Sequence, residues 1–114
     1  MSAKYDWTIN QGETSSLTYK RTLTSDGSAV NFAAGAAFAM MAKDRYGGSA
    51  VVTLSDSAFT HVDGTNTFTV TIPYGSTAAI TAPGQYVYDI EATEGIAKTR
   101  VLEGSLIVTP EVTT

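Results

Sequence analysis

Apolar and polar residues alternate with a period of two along most of this chain, as they do in β-strands that bury one face. The longest alternating run follows Pro83 and Gly84. Its inward set is Tyr86, Tyr88, Ile90 and Ala92, and its outward set is Val87, Asp89 and Glu91. Because proline fixes φ and glycine tolerates a positive φ, Pro83–Gly84 predicts a type II turn that leads into a strand.

The sequence predicts that a second strand pairs with this one across a tight turn at residues 93–96. If Glu94 and Gly95 are the two loop residues, with Gly95 at a positive φ, the register follows by counting outward. The predicted pairs are Glu91 with Lys98, Asp89 with Arg100, Ile90 with Thr99, and Tyr88 with Val101. Two of these pairs join opposite charges on the outer face, and each contributes roughly 0.2–1 kcal/mol.

The second strand of this hairpin changes the phase of its alternation. Val101 faces inward in the predicted register, whereas the later pattern puts Leu106 and Val108 on the buried face. A β-bulge is the ordinary way to change phase within a strand. We therefore predict a bulge at Glu103–Gly104.

Shorter alternating runs predict the remaining strands. They lie at Tyr5–Ile9, Ser15–Leu23, Ala36–Lys43, Val51–Leu54, Ala58–Val62 and Thr67–Ile72. Asp26–Gly27 and Asp63–Asn66 predict turns between strands. Ser76 is a candidate N-cap for one helical turn over Gly75–Ile80. Trp7 and Phe68 are predicted core residues.

Ala36–Lys43 is the segment that breaks the rule of one polar face. Alanine and methionine favour helices, but the segment has only about eight residues between glycines and no convincing cap, so we predict a strand. Its inward face carries Phe38, Met40 and Ala42, and its outward face carries Ala37, Ala39 and Met41. Because both faces are apolar, the outward three are the candidate interface residues, either covered by a loop of the same chain or bound to another subunit.

Seven or so short strands separated by glycine-containing turns predict an all-β fold. We expect one domain, residues 1–114, with the architecture of an immunoglobulin-like antiparallel β-sandwich. A small β-barrel is the alternative, because the strand count does not tell whether the sheet edges close. The chain has no cysteine, so neither a disulfide nor a thiolate metal site exists in it.

Charge and composition exclude several classes of partner. The net charge is −4 and the seven Lys and Arg residues are scattered, which argues against binding to a nucleic-acid backbone. No run of about 18 apolar residues predicts a membrane helix. The polar start, Met1–Trp7, lacks the apolar core of a signal peptide, so we expect synthesis in the cytoplasm without export by a standard signal.

Three groups of residues resemble reactive sites only superficially. His61 lies near Ser55, Ser57 and Asp63 in the sequence, but no nucleophile elbow accompanies them, so we interpret it as an ordinary strand histidine. Asp89 and Glu91 are about 7 Å apart on one strand, within the range for inverting glycosidases, yet both already have predicted cationic partners. Asp63–Asn66 lacks the ligand spacing of a calcium loop. We predict no catalytic, cofactor or metal site.

Five segments of the chain, in order, resemble a known family. They are Gln11–Thr14, Asp26–Phe32, Phe68–Pro73, Pro83–Glu91 and Glu103–Thr109. Together they resemble the small β-sandwich domains of phage virions, such as the N-terminal domain of siphophage baseplate upper proteins and capsid or tail decoration (cement) proteins. The resemblance implies a non-enzymatic virion protein that is made in the host cytoplasm. Baseplate proteins carry further domains, so this chain favours a decoration, cement or tail-accessory subunit.

The expected partners are other virion proteins, either the major capsid protein or tail and baseplate proteins. We also expect a homo-oligomer, with a trimer favoured by analogy with particle decorations, and no cofactor. The alternative function is a carbohydrate-binding module for host recognition, in which Tyr46, Tyr74 and Trp7 stack on sugar rings.

Overall fold

The computed structural model describes residues 3–22, 27–33, 35–44, 48–62, 65–78, 80 and 84–110. In these ranges the chain forms nine β-strands and one short helix, α1 (Tyr74–Ala78). The strands are β1 (Ala3–Lys4), β2 (Trp7–Asn10), β3 (Ser15–Lys20), β4 (Ala37–Lys43), β5 (Ala50–Leu54), β6 (Phe59–His61), β7 (Thr67–Ile72), β8 (Gly84–Glu94) and β9 (Ala97–Thr109). A 3₁₀ turn at Asp56–Ala58 joins β5 to β6.

The strands form two sheets that share one hydrophobic core. The larger, six-stranded sheet has the order β1-β9-β8-β4-β5, with β2 also paired to β9, and the smaller sheet has the order β3-β7-β6. The two sheets share no strand among the described residues, so the fold is sandwich-like and the barrel alternative is wrong. The all-β prediction is confirmed at this level.

The prediction of a wholly antiparallel arrangement is wrong at one edge. β1 and β2 run parallel to β9, with Ala3 opposite Leu102 and Trp7 opposite Leu106. Every other pairing in the described chain is antiparallel. A period of two fixes which face of a strand is buried but carries no information on its direction, so the sequence pattern could not show this.

The predicted strands are confirmed with small changes at their ends. Ser15–Leu23 ends at Lys20, Ala58–Val62 shortens to Phe59–His61, and Tyr5–Ile9 becomes Trp7–Asn10, preceded by the separate short strand Ala3–Lys4. Leu23, Asp26, Asp63, Gly64 and Pro83 lie outside the described residues. The predicted helical turn exists but begins at Tyr74, so Ser76 is not its N-cap: the Ser76 N–H donates to the Pro73 carbonyl, 2.9 Å away.

The predicted hairpin register is wrong, because the loop consists of Gly95 and Ile96 and Glu94 still belongs to β8. Gly95 has φ 62° and occupies the first loop position, whereas the prediction put it at the second. The observed pairs are Thr93 with Lys98, Ala92 with Thr99, Glu91 with Arg100, Ile90 with Leu102, Asp89 with Glu103, and Tyr88 with Gly104. A glycine with positive φ fits either loop position, so turn chemistry alone does not fix the register.

The predicted bulge exists, but it lies earlier in β9 than Glu103–Gly104. The register shifts opposite Ile90 and Glu91, where Val101 is the extra residue of β9. Val101 and Leu102 are consequently both buried. The phase change therefore comes directly after the predicted inward residue Val101.

Gly104 is not the bulge residue that the sequence predicted. Its lack of a side chain instead makes room for Tyr5, which lies in the connection between β1 and β2. A Cβ atom on Gly104 would overlap the carbonyl oxygen of Tyr5. The Tyr88 hydroxyl donates to that same oxygen at 2.6 Å, and the Asp6 carboxylate accepts from the Ser105 N–H at 3.1 Å. Glycine is required here by close approach of another backbone.

Aromatic rings join the two sheets at the centre of the core. Phe38 of β4 lies 4.9 Å from Phe68 of β7 and 5.0 Å from Phe32, measured between ring centroids. Phe68, Val70 and Ile72 are completely buried, as the alternation of β7 predicted. Trp7 is also buried and packs edge-on against Tyr88, which confirms it as a core residue.

An ion pair also links the end of β3 to the hairpin of the larger sheet. Arg21 binds both carboxylate oxygens of Glu94, at 2.9 and 3.3 Å, and its guanidinium lies 3.9 Å from the centroid of the Phe32 ring. The Ala33 N–H donates to the same carboxylate at 2.8 Å. The hydrogen bonds from Arg21 hold the pKa of Glu94 below its ordinary value of 4.5.

Gly104→Ala should destabilise the protein by about 1–3 kcal/mol, because the new methyl group has to displace the Tyr5 backbone. Gly75→Ala is the matched control, since nothing lies within 4 Å of the position of its Cβ atom. We expect it to be neutral or to stabilise α1 by up to about 1 kcal/mol. Urea unfolding of both variants measures the difference, and equal stabilities would contradict the close approach.

Glu94→Gln should destabilise the protein by about 1–2 kcal/mol at pH 7, because it removes charge-assisted hydrogen bonds. A carboxyl whose folded pKa is lowered stabilises the fold above its unfolded pKa and loses that contribution as the pH falls through the folded value. The difference between wild type and Glu94→Gln should therefore shrink below about pH 4.5. Urea unfolding at pH 7 and pH 3 tests this.

Glu91→Gln is the control for this prediction. The Lys98 partner of Glu91 lies 3.8 Å away and is largely exposed, so we expect a loss below about 0.5 kcal/mol at pH 7. A constant difference between wild type and Glu94→Gln at both pH values would show that the charge of Glu94 does not stabilise the fold.

Candidate interaction surface

The outward face of β4 is exposed, as the sequence predicted. Ala37, Ala39 and Met41 are accessible to solvent, with Met41 at 38% of its full exposure, whereas Phe38, Met40 and Ala42 are buried. The described residues of this chain therefore leave the outward apolar strip uncovered. The role of the strip as an interface stays a prediction.

Neighbouring strands give this strip polar borders. On the β8 side, Glu91 lies opposite Ala39 and Asp89 lies opposite Met41. On the β5 side, Thr53 lies opposite Met41. Because alanine is small, Ala37 and Ala39 project less from the sheet than the charged side chains beside them.

The two predicted ion pairs of the hairpin do form. Arg100 Nε lies 3.2 Å from Asp89 Oδ2, and Lys98 Nζ lies 3.8 Å from Glu91 Oε1. In the observed register these pairs run diagonally between the strands, which long side chains can span. Arg100 also binds Glu103 Oε2 at 3.0 Å, a contact that the predicted register did not include.

A groove of about 300 Å³ lies between these residues on the outer face of the larger sheet. It is lined by Met41, Lys43, Val87, Tyr88, Asp89, Glu91, Arg100 and Glu103. We call this set the outer groove. Its charged members comprise three carboxylates and two cations, so the outer groove carries an excess of one negative charge.

The charges of the outer groove influence one another. Partial burial raises the pKa of Asp89, and the nearby carboxylates of Glu91 and Glu103 raise it further, while Arg100 opposes both effects. The hydrogen bond to Glu103 raises the pKa of Arg100. Asp89 and Glu91 point to the same side of one strand and are engaged by cations, which suits a binding surface better than acid and base groups facing each other across a substrate.

The residues that resembled a catalytic triad do not assemble into one among the described residues. The ring of His61 packs against Phe32 and Phe38, at 5.6 and 5.2 Å between centroids. The Ser55 and Ser57 hydroxyls lie 3.1 Å apart and bond to each other. Asp63 lies outside the described residues.

In the candidate calcium loop, the side chains of Thr65 and Asn66 form hydrogen bonds with backbone carbonyl groups. The Thr65 hydroxyl donates to the Val62 carbonyl at 2.6 Å, and the Asn66 amide nitrogen donates to the Arg21 carbonyl at 3.0 Å. Asp63 and Gly64 lie outside the described residues. Over the described part of the chain, no group of three or more histidine or acidic side chains is placed to hold a metal ion.

The three candidate sugar-stacking residues differ in their exposure to solvent. Trp7 is only 4% exposed, Tyr74 is 67% exposed, and Tyr46 lies outside the described residues. Pro73, which precedes Tyr74, lines a notch of about 450 Å³ where β5 and β7 end. Five residues that carry hydroxyl groups line the same notch: Thr53, Ser55, Ser57, Thr60 and Thr71.

Sequence reasoning missed one exposed residue, Ile96. Its side chain is fully accessible, with a relative exposure of 107%. The predicted loop of Glu94 and Gly95 placed Ile96 inside a strand, so its position at the tip depended on the correct register. The hydrophobicity of a residue beside a turn glycine is the signal that could have drawn attention to it.

Comparison with known proteins gives a fold but no family. No protein-family model matches the sequence, and no curated protein matches it. Among solved structures, the chain is similar to part of the endo-beta-1,4-mannanase from Thermotoga petrophila, with a TM-score of 0.54 and 10% sequence identity. The match covers 94% of this chain and 18% of the mannanase chain. At this identity the likeness shows the β-sandwich-like fold alone.

No helix in the described ranges is long and apolar enough to span a membrane.

Proposed function

We propose that this chain is a non-enzymatic structural subunit of a phage particle, a decoration, cement or tail-accessory protein that binds other particle proteins. The observation that carries the proposal is the uncovered strip of Ala37, Ala39 and Met41 on the larger sheet. Small side chains let another backbone approach closely and lose little conformational entropy when they are buried. The ion-paired charges beside the strip form a polar rim of the kind found around protein interfaces.

The particle setting rests on the resemblance of five ordered segments to phage virion domains. Within that setting we assign the sandwich to the immunoglobulin-like type, with β1 and β2 as parallel additions at one edge. The partners are the major capsid protein or tail and baseplate proteins. The net charge of −4 disfavours binding to the packaged nucleic acid.

Met41→Asp should weaken binding to particles by at least about tenfold, because it places a charge in the apolar strip. The purified protein is added to particles that lack it, and the fraction that sediments with them is measured. Val62→Asp is the matched control, since Val62 is equally apolar and 67% exposed but lies outside the strip. Circular dichroism and thermal melting should be the same for all three proteins.

Two outcomes would contradict the proposal. In one, the wild-type protein does not bind particles of the phage that encodes it. In the other, Met41→Asp binds as wild type does, which would move the interface away from β4. Genes for capsid, portal or tail proteins beside the gene for this chain would support the particle setting independently.

A carbohydrate-binding module is the second candidate function. It is favoured by the structural similarity to part of a mannanase and by the exposed ring of Tyr74, which follows Pro73 of the notch in the chain. Aromatic stacking with nearby hydrogen-bond donors is a common way to hold a sugar. The burial of Trp7 removes one of the three stacking rings on which this function depended, so we place it second.

Titration with soluble β-1,4-linked mannan oligosaccharides tests the second candidate. A sugar-binding module should give saturable binding that Tyr74→Ala abolishes. Tyr5→Ala is the control, because Tyr5 is also an exposed tyrosine but lies between β1 and β2 and is not among the residues that line the notch. Absence of saturable binding by the wild-type protein would eliminate this function for mannans.

A further inference from the structure

Lys43 continues the apolar strip at the end of β4. It lies on the same outward face as Met41, and both side chains line the outer groove. Lys43 is half-buried, whereas the other lysines of the chain are exposed: Lys4, Lys20 and Lys98. Because residues two apart on a strand point to the same side, a partner that covers Met41 also covers Lys43.

The ammonium group of Lys43 forms no ion pair with any residue that the structure describes. The residue opposite it on β8 is the uncharged Val87. All the other charged members of the outer groove are engaged. Arg100 lies 3.2 Å from Asp89 and 3.0 Å from Glu103, and Glu91 lies 3.8 Å from Lys98. Within the described part of the chain, the ionic contact that the groove still has to offer is therefore with an anion.

Covering an unpaired ammonium group is costly, because the charge loses its hydration and gains no counter-ion. A partner that covers the strip offsets this cost when it places a negative charge at Lys43. We infer that the particle protein bound by the strip carries an aspartate or glutamate that pairs with Lys43. The inference rests on the proposed function and adds to it the chemistry of the partner surface.

The groove favours a single carboxylate over a polyanion. Asp89, Glu91 and Glu103 line the same groove and repel further negative charge, so the partner's acidic group has to meet Lys43 alone. Residues two apart on a strand are separated by roughly 7 Å. The partner surface is therefore apolar where it covers Met41 and carries its carboxylate about that distance away, at the edge of the contact.

Three substitutions of Lys43 test the pairing in the particle-sedimentation assay, run over a concentration series to give association constants. Lys43→Met keeps the apolar stem and should lower the association constant by about tenfold, because it leaves the partner's carboxylate unpaired. Lys43→Glu should lower it further, since two like charges then meet. Lys43→Arg keeps the charge and should bind within about threefold of wild type.

Lys20→Met is the matched control, because Lys20 is exposed and belongs to β3 of the smaller sheet. It should bind as wild type does. Lys43 forms no ion pair inside the described chain, so its replacement by methionine removes no intramolecular salt bridge. Circular dichroism and thermal melting check the fold of each variant.

The direction of the change in Lys43→Met decides the inference. Stronger binding than wild type would show that the contact buries the ammonium group without an anion, and would overturn the pairing. Wild-type binding by all three Lys43 variants, together with loss of binding in Met41→Asp, would also overturn it while leaving the proposed function intact. Failure of the wild-type protein to bind particles would instead overturn the proposed function, and this inference with it.

Discussion

The pairing of β8 with β9 is the constraint on which the rest of the structure depends. β4 adds to one side of this pair and both N-terminal strands add to the other, so its register sets the position of every strand in the larger sheet. Without the extra residue at Val101, the inward phase of the first half of β9 would turn Leu106 and Val108 outward. The bulge allows both halves of a 13-residue strand to face the same core as β8.

The faces of the strands were predictable because a period of two is a local property. Phe68 and Tyr88 are buried, and Met41 is exposed, as alternation alone required. The hairpin register was not predictable by the same means, since Gly95 fits either loop position. The opposite-charge pairs did not resolve the ambiguity either. Lys98 reaches Glu91 whether it lies directly opposite or on the diagonal, so agreement of charges supports several registers equally.

Contacts between distant parts of the chain were beyond sequence reasoning. Nothing near Arg21 indicates Glu94, 73 residues later, and nothing near Gly104 indicates Tyr5. The same distinction between local patterns and long-range contacts applies to the candidate surface. Its apolar strip lies on one strand and was found from the sequence, whereas the outer groove combines β4, β8 and β9 and needs their true register. The exposure of Ile96 likewise appears only when the loop is placed correctly.

The charges of the outer groove suit association more than chemistry. A carboxylate that is to act as a base or nucleophile needs access to the reacting atom, but Asp89 is engaged by Arg100, which also holds Glu103. The raised pKa of Asp89 means that acidification neutralises it earlier than a free aspartate. Arg100 then still has the carboxylate of Glu103 as a partner. Sharing one guanidinium between two carboxylates therefore leaves one ion pair in the outer groove after Asp89 is neutralised.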